Sequence, residues 1–382
     1  HAIKASLKEA VRFYTELHSL GASPKYIDVG GGLGINYDGA AGKTDNSTNY
    51  TEQEYANDVI SIIQTLCDEK GVEHPGIITE AGRALVAHSA ILVFNVLGEN
   101  RVAKSSVNHE ITERDSRLVR DLYDIYKEVI ESNLNEYYNE QIEKKRDTMN
   151  MFSYGVLSLE QRAKAEDLYW AIATKMVAIA KKSEDAESIF WDLEKELSDS
   201  YFCNFSVFQS LPDSWALDQV FPVMPIHRLN ERPDRRAILV DLTCDSDGKI
   251  ERFIDIEDES IQSYIEVHSL RENEPYYIGA FLTGAYQETL GDLHNLFGDT
   301  NAVHVTINEN GDYNIDHVVE GDSVEEVLSY VEYSKPMLVE KIRQASEESI
   351  SRGDLSKQEA KLLMNHYQQS LAGYTYLEDA EE

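Results

Sequence analysis

Four glycines close on the end of one apolar strand pattern, and they set the chemistry open to this chain. The run Tyr26-Ile-Asp-Val-Gly-Gly-Gly-Leu-Gly-Ile-Asn-Tyr37 carries Gly30, Gly31, Gly32 and Gly34. With no Cβ, successive N–H groups can converge on phosphate oxygens, and positive φ costs little. A plain tight turn would read the same way, so the loop by itself leaves both open. The next apolar strand, Gly76-Ile-Ile-Thr-Glu80, decides between them. It delivers Glu80-Ala81-Gly82-Arg83 after an amphipathic segment from Glu52 to Lys70. That is the spacing of a strand-helix-strand unit. Two neighbouring parallel strands would place the glycine loop and Glu80 to Arg83 side by side at their carboxyl ends, where barrel active sites lie. Such a set suits a phosphorylated, nitrogen-containing ring. The amides of Gly31, Gly32 and Gly34, with Gly82 and Arg83, would take the phosphate, and Glu80 would take a protonated ring nitrogen.

The elements that position these residues follow from patterning. At 382 residues the chain exceeds the size at which one core stops growing, so two or three domains are expected. Ala87 to Gly98 is rich in β-formers and starts a β-sheet domain. From about Val107 to Asp199 the apolar period becomes helical, as in Arg117 to Asn133, Asn135 to Thr148, Ser158 to Lys181 and Ala186 to Leu197. Tyr201 to Phe208 returns to strand and is expected to be the last barrel strand, with Cys203 as a small buried residue. Arg236 to Thr243, Tyr276 to Thr283, Ala302 to Asn308 and Tyr313 to Val319 are expected strands, the last two joined at Asn310-Gly311. Helices are expected from Val324 to Glu332, Lys335 to Ser351 and Ser356 to Leu371, before a fraying acidic tail from Glu378 to Glu382.

Charge and cysteine usage exclude several classes. Thirty-five basic against 69 acidic side chains give a formal charge of −34, which repels nucleic acid and anionic membrane and favours cationic ligands. No window approaches the ~18 uninterrupted apolar residues of a membrane span. Cys67, Cys203 and Cys244 are too few and too scattered for a disulfide framework or a zinc site. The start of the chain, with Lys4, Lys8, Glu9 and Arg12, has no signal-peptide pattern, and a soluble cytoplasmic protein is expected.

The glycine loop, Glu80-Ala-Gly-Arg83, Leu242-Thr-Cys-Asp-Ser-Asp-Gly248 and Gly284-Ala-Tyr-Gln287 occur in this order in the pyridoxal-phosphate-dependent decarboxylases of basic amino acids. Asn204-Phe-Ser-Val-Phe-Gln-Ser-Leu-Pro-Asp-Ser-Trp215, His294-Asn-Leu-Phe-Gly-Asp299 and Gly373-Tyr-Thr-Tyr-Leu-Glu378 resemble the bacterial biosynthetic arginine decarboxylases. The resemblance implies an α/β fold: the C-terminal part of an alanine-racemase-like TIM barrel, a β-sheet domain, a helical-bundle insertion and a C-terminal helical region. The expected divisions are 1–88 for the barrel part, 89–106 for the first strand of the β domain, and 107–199 for the bundle. Residues 200–235 would hold the last barrel strand and a linker, 236–322 the β domain, and 323–382 the C-terminal helices.

The resemblance also implies roles. Cys244 would protonate the carbanion left when CO2 departs, acting in the partner's active site of a homodimer or larger homo-oligomer. Its neighbours Asp245 and Asp247 favour the neutral thiol that this step requires. Asp245 would bind the guanidinium of L-arginine, whose fork of donors suits a carboxylate. Tyr286 would join Gly31, Gly32, Gly34, Gly82 and Arg83 on the phosphate of pyridoxal 5'-phosphate. The run Ile27, Asp28, Val29, Gly30, Gly31, Gly32, Leu33, Gly34, Ile35, Asn36 and Tyr37 is expected to line the substrate. Asp213 or Asp218 could supply a second carboxylate for the substrate's far end, because Phe221-Pro-Val-Met-Pro-Ile-His227 stands where ornithine enzymes carry Tyr-Asp-His. His88 has two readings, a ligand contact beside Arg83 or a packed or capping residue. Magnesium is implied with no ligands identified. The lysine and histidine that the family sets around the ring are expected upstream of His1, in a longer protein.

The expected activity is therefore decarboxylation of L-arginine to agmatine and CO2, in polyamine biosynthesis, by the protein with its missing N-terminal half. The alternatives are a decarboxylase of ornithine, lysine or diaminopimelate, and a non-catalytic homologue. A racemase of the same fold would need a tyrosine at position 244.

Overall fold

The structure is a computed structural model describing residues 2–38, 47–102, 107, 110–183, 186–255 and 260–378. His1 and the tail beyond Glu378 lie outside these residues. α1 (Ala2–Ser19) leads to β1 (Tyr26–Asp28), α2 (Glu52–Lys70) crosses over, and β2 (Gly76–Ile78) pairs parallel with β1. α2 starts at Thr51, which forms a capping box with Glu54 and so satisfies N–H groups that the first turn leaves orphaned. It stops at Gly71, in the left-handed region at φ 63°. Val59, Ile63 and Cys67 recur every four residues and bury against Leu7, Val11 and Tyr14 of α1 and Ile27 of β1. Each such aliphatic side chain contributes about 1.5–3 kcal/mol. Ile77 and Ile78 remain exposed on β2.

α3 (Gly82–Val86) follows β2, and β3 (Ile91–Asn100) enters a larger sheet. Next come α4 (Arg117–Glu128), α5 (Leu134–Ser153), α6 (Leu159–Ala180) and α7 (Glu187–Glu196), a bundle closed on Leu118, Leu122, Leu168, Ile172, Met176 and Leu193. Buried Asp115 fastens its entry. The carboxylate accepts bonds of 2.8 Å from Lys164 Nζ, Gln161 Nε2 and the Thr112 amide, and these hold it well below the usual carboxylate range.

After the bundle, β4 (Asp199–Cys203) precedes α8 (Val207–Ser210), α9 (Pro212–Ala216), β5 (Val223–Pro225) and β6 (Arg235–Val240). Short strands β7 (Lys249–Ile250), β8 (Phe253–Asp255), β9 (Ser260–Gln262) and β10 (Ile265–Val267) lead to β11 (Tyr277–Phe281). The seven-stranded sheet runs β10-β6-β4-β3-β11-β5, with β7 beside β6. Only β4 and β6 pair parallel; the other pairs are antiparallel.

This corrects the expectation for Tyr201 to Phe208. β4 is not a barrel strand but a central strand of the β sheet, hydrogen-bonded to β3 on one side and β6 on the other. Tyr201, Cys203 and Phe205 bury against Phe94 and Leu239, and that shared core fixes the placement. Cys203 is fully buried, and burial pushes its thiol pKa up. A second difference lies further on. α10 (Gln287–Leu290) precedes β12 (Ala302–Ile307) and β13 (Tyr313–Val319), which form a separate two-stranded hairpin outside the β sheet. Gly311 takes φ 88° at its turn. α11 (Val324–Tyr330), α12 (Lys335–Arg352) and α13 (Lys357–Ala372) complete the described chain. Their end returns to the sheet, where Asn204 Nδ2 donates to the Leu377 carbonyl at 2.7 Å and Asn204 Oδ1 accepts from the Leu377 amide at 3.1 Å.

Candidate active site

Parallel pairing carries β1 and β2 to the same end, and hydrogen bonding continues past both strands. The Val29 amide donates to the Ile78 carbonyl at 3.0 Å, and the Glu80 amide donates to the Gly30 carbonyl at 2.8 Å. A Cβ on Gly31 would overlap the carbonyl oxygen of Glu80, so only glycine permits this approach. Gly30 and Gly32 have φ of 73° and 79°, the left-handed region that glycine enters freely. Asp28 Oδ1 accepts from the Gly30 amide at 2.8 Å, and Tyr50 Oη accepts from the Gly34 amide at 3.0 Å. Among the described residues the Gly31 and Gly32 amides have no such partner, which leaves them for an anion. Gly34 is thereby removed as an amide donor and serves the loop's shape.

Arg83 sits in the first turn of α3, half-buried, and gathers groups distant in sequence. Its Nη1 donates to Tyr37 Oη at 3.0 Å and to the Ala285 carbonyl at 3.1 Å, while Nη2 lies 3.6 Å from Asp213 Oδ2. Burial works against its charge, but the Tyr37 hydrogen bond and the nearby Asp213 carboxylate outweigh that and raise its pKa. The guanidinium also lies 5.5 Å from the ring centroid of Tyr286. A Cβ on Gly82 would stand 2.6 Å from Tyr286 Oη, so the tyrosine closes over the start of α3. Buried Gln287 donates to Asp213 Oδ2 at 2.8 Å and to the Ala285 carbonyl at 3.2 Å, and it accepts from the Asp213 amide at 3.0 Å. Gly30 to Gly32 and Glu80, Gly82 and Arg83 thus come together, with Tyr286 beside them. Two cramped glycines, two unpartnered amides and a cation fit a phosphate, and exposed Glu80 at the strand end fits a ring nitrogen beside it.

Cys244 and Asp245 form a second group beyond β6. The Cys244 amide donates to Asn295 Oδ1 at 3.1 Å, and the thiol is exposed. Asp241 shapes the approach, since Oδ2 accepts from the Val207 amide and Oδ1 accepts from the Thr243 amide and hydroxyl, each at 2.8 Å. Asp245 Oδ2 lies 3.7 Å from His294 Nε2, an ion-pair distance too long for a hydrogen bond. The imidazole packs, tilted, on Phe208 of α8 at 4.3 Å between centroids, and Phe208 meets Trp215 of α9 at 5.1 Å.

Several expected site residues also serve the framework. Ile27, Leu33, Ile35 and Tyr37 have buried side chains, Ile27 against α1 and α2 and Ile35 and Tyr37 in the β-domain core. Alternation in an extended segment explains it: positions 33, 35 and 37 share the inward face. Asp28 spends an oxygen on the loop and Val29 its amide on Ile78 of β2, while Gly34 and Asn36 fall on the exposed face. Asp213 is buried on Arg83 and Gln287, not open to a substrate. Asp218 is exposed, 4.0 Å from Arg252. His88 is exposed, so it is not a packed residue. Sequence reasoning overlooked the Tyr37–Arg83 bond and the roles of Gln287, His294 and Asn295. Their only signal was membership of the motifs 284–287 and 294–299.

Comparison with known proteins identifies the class and then the family. Residues 1–87 match the pyridoxal binding domain of pyridoxal-dependent decarboxylases, the class that the glycine loop and its partners define. Residues 112–194 match the arginine decarboxylase helical bundle domain and 324–377 the arginine decarboxylase C-terminal helical extension. A biosynthetic arginine decarboxylase of Thermosynechococcus vestitus is 48% identical over 98% of this chain and 58% of its own length. One of Bacteroides thetaiotaomicron is 46% identical over 98% of this chain and 59% of its own length. The solved biosynthetic arginine decarboxylase SpeA of Campylobacter jejuni superposes with a TM-score of 0.79 at 34% identity, covering 99% of this chain and 61% of that one. The chain belongs to the biosynthetic arginine decarboxylase family, and it spans less than two thirds of the length of these relatives.

Proposed function

We propose that the protein bearing this chain decarboxylates L-arginine to agmatine and CO2 with pyridoxal 5'-phosphate, a step of polyamine biosynthesis. The convergence of the Gly31 and Gly32 amides, Arg83 and Tyr286 beside Glu80 carries this reading. Bound there, pyridoxal phosphate supplies an electron sink for the carbanion left by CO2. Gly31, Gly32, Arg83 and Tyr286 hold the phosphate, and Gly82 lets Tyr286 approach. Glu80 is the carboxylate that would accept a hydrogen bond from the ring N–H and keep that nitrogen protonated, which would deepen the sink.

Cys244 and Asp245 act at the facing site of a homodimer or higher homo-oligomer. Asp245 orients the guanidinium, and the Cys244 thiol delivers a proton to the α-carbon. Arginine as substrate is supported by the names of the relatives, which are arginine decarboxylases along the whole matched length. Among the described residues no helix is long and apolar enough to cross a membrane, and a cytoplasmic enzyme acting away from membranes and nucleic acid accords with the charge of −34. Magnesium rests on the resemblance alone, since the described residues hold no group of three metal-ligating side chains.

The deciding experiment assays full-length protein with pyridoxal phosphate for CO2 release from arginine, ornithine, lysine and diaminopimelate. Release from arginine above the other three is expected. Preference for another amino acid overturns the substrate, and no release from any of them overturns the enzyme.

A further inference from the structure

One buried carboxylate at this site has no place in the proposed chemistry. Asp213 is only 6% exposed, at the start of α9 behind Pro212. Its Oδ2 serves two partners at once, Gln287 Nε2 at 2.8 Å and Arg83 Nη2 at 3.6 Å, and its amide donates to Gln287 Oε1 at 3.0 Å. Arg83 and Gln287 then meet again, because both donate to the carbonyl of Ala285, at 3.1 and 3.2 Å. The loop is closed: Asp213, Gln287, Ala285 and Arg83 form one ring of polar contacts, and Tyr286 projects from it.

From this geometry we propose that Asp213 is the positioning residue of the phosphate end, fixing the Arg83 guanidinium and the Tyr286 turn against each other. The inference rests on the functional reading above and deepens it. Donor counting supports it. Arg83 has five N–H donors; two go to Tyr37 and Ala285 and one points at Asp213, which leaves Nε–H and one Nη2–H for an anion. Without the carboxylate the fork is held only at Nη1, and the Nη2 side loses the contact that directs its remaining donor. The turn is tight at Gly284, where a Cβ would overlap the Val86 carbonyl, and Tyr286 sits in the chain between Ala285 and Gln287, both members of the ring. Asp213 touches neither phosphate nor ring; it acts through Arg83 and Gln287.

The test compares full-length wild-type protein with Asp213→Asn by titration with pyridoxal phosphate, pyridoxal and inorganic phosphate, each followed by protein fluorescence. Asparagine keeps an acceptor for Gln287 and removes the charge from Arg83. Affinity for pyridoxal phosphate and for inorganic phosphate is expected to fall about tenfold, the usual effect of removing a supporting contact, with pyridoxal unchanged. Unchanged phosphate affinity overturns the proposal, as does an equal loss for pyridoxal, which marks a general collapse of the site. If Asp213→Asn does not fold, Tyr37→Phe removes the other side-chain support of the same guanidinium. It must show the same phosphate-selective loss, and its absence overturns the proposal. Wild-type protein that binds phosphate but not pyridoxal sinks the functional reading while the Asp213 comparison still decides; binding of neither overturns both.

Discussion

Gly31 lies with its α-carbon against the carbonyl oxygen of Glu80, so the glycine loop and the carboxylate-bearing strand end are locked through backbone rather than side chains. The Glu80 amide, bonded to the Gly30 carbonyl at 2.8 Å, closes the same junction from the other side.

That contact predicts a contrast between two glycines. Gly31→Ala drives a methyl into backbone that cannot yield, and a loss of about 1–3 kcal/mol in stability is expected, with pyridoxal phosphate binding lost. Gly82→Ala meets only the hydroxyl end of Tyr286, which can swing away, so stability should hold while cofactor affinity falls. Thermal unfolding and cofactor titration of both variants check this; equal behaviour would contradict the contact as described.

Glu80→Gln keeps the shape and removes the charge. Turnover should fall about 10²-fold, as for loss of one preorganised electrostatic contact, while the cofactor still binds because its phosphate contacts are intact. Steady-state kinetics beside a binding titration measure it.

For Cys244→Ala, agmatine formation should slow by about 10²–10⁴-fold, the range for a lost proton donor. The melting temperature should not move, since Cys244 is exposed and its amide contact to Asn295 survives the change. Normal turnover in this variant would remove Cys244 from the chemistry.

Asp115 makes the helical bundle acid-sensitive. Its folded carboxyl is held below the ordinary value, first by Lys164 and then by Gln161 and the Thr112 amide. The stabilisation is therefore complete above the unfolded carboxylate pKa of about 4 and is lost as pH falls from there through the folded value. Unfolding of the bundle, followed by circular dichroism, should ease below that pH, and Asp115→Asn should flatten this part of the profile.

The bundle and the terminal helices were legible because each carries its own signal. Leu118, Leu122 and Ile125 repeat at helical period, and Ser158 and Ser356 cap helices from within their own segments. The β4 strand was not. Residues 199–203 alternate as any buried strand does before the chain turns into α8, and nothing local to them says whether β2 or β6 is the neighbour. The hydrogen-bond partners come from residues about a hundred positions before and 38 after.

Sequence by itself determined which reactive and polar groups are at hand: a glycine loop closing one strand, Glu80 and Arg83 one strand-helix unit later, and Cys244 beside Asp245. Only the tertiary structure decided which of these groups are free to act. It spent the Gly34 amide on Tyr50, turned Ile27, Leu33 and Ile35 into cores, and joined Asp213 to Arg83 directly and Gln287 to it through the shared Ala285 carbonyl, across 130 and 204 positions. The physical reason is that spacing fixes neighbours along one strand or helix, whereas a hydrogen bond between distant segments depends on every element packed between them.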